Sequence, residues 1–160
     1  MASGSAWRSA ARQLPLRLSV GAFFLNSGLA KRNADEATAE QLHQFASGTY
    51  PFLGKVDAQT FTRRLSTEEI AIGAALLLPV VPAAVAGAAL TAFSCSTLGL
   101  YLRTPGMRQE GSLAPTEQGI ALAKDAWILG IGLALIAEGV NGHRGPTCTA
   151  RGPRRHRRRR

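Results

Sequence analysis

The chain has 160 residues, 46% of them hydrophobic, with ten acidic and nineteen basic side chains and a formal net charge of +9. Eight of the basic groups, all arginine, fall within 144–160, so the rest carries eleven basic against ten acidic groups and is close to neutral. This distribution argues against a broad nucleic-acid-binding face, and two isolated cysteines, Cys95 and Cys148, argue against a disulfide framework or a cysteine metal site.

Residues 1–13 form a polar N-terminal segment with Arg8 and Arg12. The apolar stretch Leu14–Ala30 follows, 17 residues or about 26 Å as a helix, enough for a first crossing of a bilayer. Basic residues before an apolar run also suit a cleaved signal peptide. Arg17 and Asn26 interrupt the run, however, so a retained crossing is the better reading, with Asn26 expected to hydrogen-bond between helices.

Residues 31–66 make a long connection, expected to carry short interfacial helices because a structureless loop of that length is uncommon. Leu42, Phe45 and Ala46 recur at helical spacing, and Asp57 is placed to cap a turn that puts Phe61 and Leu65 on one face. Tyr50 and Phe52 suit the headgroup layer.

Ile70 to Leu102 is thirty-three residues without a charged side chain. That is far too long for one passage through about 30 Å of hydrocarbon, and Pro79 and Pro82 supply a bend near 79–84. Two crossings are expected, 67–81 and 84–102. The first opens on Ser66-Thr67-Glu68-Glu69, a capping-box pattern. The second begins with small residues four apart (Ala83, Gly87, Thr91 and Ala84, Ala88, Ala92), which let helix backbones approach closely in lipid. Cys95 on this helix is read as a buried small hydrophobe.

A polar loop, 103–119, leads to a fourth crossing, 120–140, with Lys124 and Asp125 near its start. Ala126, Gly130, Ala134 and Glu138 fall on one stripe that should face another helix. Residues 141–160 offer no apolar surface to offset the entropy of ordering and read as a disordered basic tail. Its arginines, Arg151, Arg154, Arg155, Arg157, Arg158, Arg159 and Arg160, suit anionic lipid or a topological signal.

The expected fold is therefore all-α: a four-helix membrane domain, 14–140, in a multi-pass cell-membrane protein with both termini cytoplasmic and loop 31–66 outside. The same arrangement sorts the charges by end. Lys31, Glu68, Glu69, Arg103, Lys124 and Asp125 gather at the loop side, where Glu69 with Lys31, and Asp125 with Lys124 or Arg103, are the expected pairs of an outer polar cluster. Arg17 and Glu138 make the expected inner pair. Interfacial snorkelling of Lys31, Arg103 and Arg17 is the plainer alternative. No histidine lies in a crossing to hold a haem, and no nucleotide or zinc-helix motif is present.

Leu16-Arg17-Leu18 leading into Phe23-Phe24-Leu25-Asn26-Ser27-Gly28-Leu29-Ala30-Lys31 resembles the first helix of DoxX-type membrane proteins. Glu69-Ile70-Ala71-Ile72-Gly73-Ala74-Ala75-Leu76-Leu77-Leu78 looks like their second, and Lys124-Asp125-Ala126-Trp127-Ile128-Leu129-Gly130 is similar to the start of their last. Pro79-Val80-Val81-Pro82 departs from the glycine and basic residue expected at the bend. The resemblance covers about 16–137. It implies a small four-helix subunit associated with quinone- or thiol-linked redox systems, acting as an accessory or scaffold that presents the polar cluster and a lipid-facing groove to a quinone or a redox protein partner. No covalently attached cofactor, metal or catalytic residue is indicated. Two other readings are a transporter-like bundle with Glu69, Asp125 and Lys124 along a polar path, and an interaction protein acting through its tail. The first needs charges at mid-membrane, whereas here they sit near helix ends.

Overall fold

The computed structural model describes residues 3–143, with side chains for 12–141; the basic tail and Cys148 lie outside this range. The fold is all-helical: among the described residues there is no strand, only an isolated antiparallel bridge between Arg108 and Pro115. The elements are α1 (Ser3–Arg32), α2 (Glu36–Thr49), a 3-10 turn (Pro51–Lys55), α3 (Ala58–Leu77), α4 (Ala83–Arg103), a single turn α5 (Ile120–Ala123) and α6 (Asp125–His143).

Aspartates open α2 and α3, and the starts of α1 and α3 fall earlier than the sequence suggests. Asp35 caps α2 by accepting from the Thr38 amide at 2.9 Å, and Asp57 caps α3 by accepting from the Thr60 amide at 2.9 Å. Hydrogen bonds from Thr38 hold the Asp35 carboxyl below its ordinary range, and the Thr60 amide does the same for Asp57. Because Asp57 starts α3, the expected capping box at Ser66 does not form. Ser66 instead sits buried inside the helix and donates to the Gly28 carbonyl of α1 at 2.7 Å. The first helix also begins earlier than expected, at Ser3, and runs through Pro15. A proline in a helix interior forfeits one backbone bond.

The charge-free run does double back. α3 ends at Leu77, a turn carries Pro79, and Pro82 precedes α4. α4 and the continuous stretch Ile120–Asn141 are each long and apolar enough to cross a membrane.

The helices associate as two tight pairs, α1 with α3 and α4 with α6. Glycine makes each pair close. A Cβ on Gly73 would lie 2.7 Å from the Leu25 amide nitrogen, and one on Gly87 would lie 2.6 Å from the Gly132 carbonyl oxygen. Gly87 and Thr91 of the expected stripe thus face α6, as does Ala84 opposite Gly139. The α6 face that meets it is Gly132, Leu135 and Gly139, whereas Ala126, Gly130 and Ala134 point outward and leave the expected stripe without a partner helix. Between the pairs lies a core of Val20, Phe24, Ile72, Leu76, Ala83, Ala86, Leu90 and Leu135.

The outer surface is oily. Trp127 is 74% exposed and Phe23 60%, and Leu14, Leu18, Val85 and Leu133 are also exposed. Cys95 points outward with them rather than inward. Asn26 is likewise exposed and makes no interhelical bond among the described residues.

Candidate functional site

At the loop-side end, the gap between the two helix pairs widens into a cavity of about 670 Å³. α1, α2, the 3-10 turn, α3, α4, α5 and α6 all contribute to its wall. Every phenylalanine in the chain, Phe23, Phe24, Phe45, Phe52, Phe61 and Phe93, lines it. Phe24 and Phe93 meet edge to face across the pairs with centroids 5.1 Å apart. The volume suits a ring-sized small molecule.

One polar group is built into this wall. Lys31 Nζ of α1 lies 2.9 Å from Glu69 Oε2 of α3 and 2.7 Å from Ser27 Oγ, one turn back on its own helix. Glu69 is buried and Lys31 partly so, which makes the pair a connection between helices rather than a surface contact. An ammonium has three N–H donors. Two are used here, which leaves one further donor on a side chain that lines the cavity.

Asp125, at the start of α6, lies beside the Thr97 hydroxyl of α4 and feels both Lys124 and Glu69 electrostatically. It lines the cavity, with no ion pair within 4 Å among the described residues. Glu68 lines the rim and is exposed, and Lys124 is exposed outside the cavity. Arg103 does not pair with Asp125. Its guanidinium carbon instead sits 5.8 Å from the centroid of the Tyr50 ring, and the Tyr50 hydroxyl donates to the Ser96 carbonyl at 3.0 Å. Tyr50 therefore serves as part of the wall. Gly99 leaves it the space, since a Cβ there would collide with the Tyr50 hydroxyl.

The expected inner pair is replaced by another arrangement. Arg17 donates to the carbonyls of Leu76 at 2.8 Å, Ala75 at 2.9 Å, and Leu78 and Val81 at 3.0 Å. The end of α3 presents carbonyls without helical partners, and the guanidinium fork satisfies several at once. Glu138 does not meet Arg17: its Oε2 is buried and lacks a hydrogen-bond partner among the described residues. The tail residues Arg151, Arg154, Arg155, Arg157, Arg158, Arg159 and Arg160 lie outside the described range.

Sequence reasoning brings Lys31 and Glu69 together, as the structure does, and misses Ser27, Thr97 and the aromatic wall. Ser27 was within reach, four residues before Lys31 on the same helical face. The aromatic residues carried no such signal, because they are scattered over five elements. Among the described residues, no group of three or more His, Cys, Asp or Glu is arranged to hold a metal ion.

No protein-family model, curated protein or solved structure matches the chain. The likeness to DoxX-type proteins rests on sequence pattern alone.

Proposed function

We propose that the chain is a four-crossing, DoxX-like membrane subunit that holds a quinone-class ring in its aromatic cavity, as an accessory of a membrane redox system rather than a catalyst. The observation that carries this reading is the convergence of all six phenylalanines on one cavity beside the Lys31–Glu69 pair. A flat apolar ring gains from aromatic walls, and the remaining Lys31 donor suits a ring carbonyl oxygen.

Four crossings are supported by the outward faces. α1 exposes Leu14, Leu18, Phe23 and Leu29, and α4 and α6 expose Val85, Trp127, Leu133 and Val140. Such a surface suits acyl chains. α3 is polar over its first half, but its apolar half, from Ile70 to Leu77, packs against α1 and ends where Arg17 closes the bend. An even number of crossings puts both termini on one side, and the arginine tail assigns that side to the cytoplasm. Membrane lipid and a redox protein are then the partners.

The test is full-length protein in lipid nanodiscs titrated with decylubiquinone, with lipid extracts of the mild-detergent preparation examined for co-purifying quinone and proteins. Saturable binding that weakens in Lys31→Met and Phe93→Ala supports the reading. Absence of saturable binding in folded protein rejects it.

A further inference from the structure

We infer that the cavity also binds a lipophilic organic cation, with Asp125 as the fixed counter-charge opposite the aromatic wall. The inference rests on the charge of the cavity, and a redox role is not required for it.

Lys31 is the one cation among the cavity-lining side chains, against three carboxylates, Glu68, Glu69 and Asp125. Its charge is already engaged by Glu69 at 2.9 Å. Lys124 attracts Asp125 from outside the cavity, without closing to an ion pair, and Glu69 repels it. Arg103 lies over Tyr50 instead. Asp125 thus lines a largely apolar space with the Thr97 hydroxyl beside it and no cation within 4 Å among the described residues, so an incoming positive charge would stabilise its carboxylate.

The remaining wall suits the same kind of guest. Faces of aromatic rings attract cations through their quadrupole, most strongly where water is excluded. Phe24, Phe93 and Tyr50 line one continuous space with Asp125. A guest with a delocalised or shielded positive charge on an apolar body loses little hydration on entry and satisfies both features. A small hydrated metal cation would leave the aromatic wall unused, and an organic anion would meet three carboxylates.

Tetraphenylphosphonium and tetraphenylborate have nearly the same size and shape and opposite charge. The full-length chain in phosphatidylcholine nanodiscs is dialysed against each, with empty nanodiscs subtracted. The expected result is saturable binding of the phosphonium, none of the borate, and a loss of about tenfold or more in Asp125→Asn that Asp125→Glu partly restores. Equal saturable binding of the two ions by the unaltered chain overturns the inference, and that comparison needs no variant to fold. So does unchanged phosphonium affinity in folded Asp125→Asn. Decylubiquinone in the same discs separates the readings: quinone binding without phosphonium binding removes only this inference, and the reverse removes only the redox reading. Binding of neither removes both.

Discussion

Lys31 and Glu69, thirty-eight positions apart, form an ion pair of 2.9 Å that ties α1 to α3 at the edge of the cavity. Breaking one side leaves a charge without compensation in a site where Glu69 is 8% exposed. Lys31→Met and Glu69→Gln are each expected to destabilise the protein, the lysine change by about 3 kcal/mol. The double variant Lys31→Met with Glu69→Gln should recover much of the loss. Thermal unfolding in one detergent measures all three, and additive losses in the double variant would show that the pair is not coupled.

Arg17 predicts a different pattern. Its guanidinium reaches four carbonyls around the α3 terminus, which a lysine ammonium cannot span in one geometry. Arg17→Lys should therefore lower thermal stability, by about 1.5–3 kcal/mol for lost charge-assisted hydrogen bonds. Charge reversal at Glu138 should not rescue Arg17→Glu. Full rescue would restore the direct pair.

Glycine substitutions should separate packed from exposed positions on a single helix. At Gly132 a Cβ would lie 2.5 Å from Thr91 Oγ1 and 3.1 Å from the Gly87 carbonyl oxygen, whereas at Gly130 nothing lies within 4 Å. Gly132→Ala should cost about 1–3 kcal/mol through overpacking. Gly130→Ala should be neutral or stabilising by up to about 1 kcal/mol. Unfolding curves for the two variants check the difference, and equal losses would contradict the pairing of α4 with α6.

The two capping aspartates give a pH dependence whose sign is fixed. Both carboxyls titrate below the ordinary value of 3.8, Asp35 because the Thr38 side chain and amide bond its charged form and Asp57 because the Thr60 amide does. Their contribution is therefore present above 3.8 and is lost as pH falls through the lower folded values. Carboxyl carbon shifts in NMR should show midpoints below 3.8 for Asp35 and Asp57, with fraying of the first turns of α2 and α3 at the same pH. In Asp35→Asn the acid-induced fraying of α2 should disappear.

Several features were legible before any packing was known. The long run free of charge folds back on itself because neither proline can continue a helix smoothly, and the turn lies where Pro79 and Pro82 stand. The neighbouring polar ends of the helices made Lys31 and Glu69 natural partners. The capping box was misleading for an equally local reason: Ser66 and Glu69 have the right spacing, but Asp57 begins the helix nine residues earlier and leaves no free amide for Ser66 to cover.

By itself, then, the sequence determined that the chain is helical, where it turns, and that Lys31 and Glu69 are partners, since those follow from backbone hydrogen bonding and the cost of burying a charge unpaired. Only the tertiary structure decided which helices pair, which stripe of α6 is covered, that Arg17 serves carbonyls rather than Glu138, and that six dispersed phenylalanines share one space. The reason is that the exposed and the packed faces of these helices are built from the same apolar residues. Composition therefore does not separate them, and close backbone approach at glycine has to choose between them.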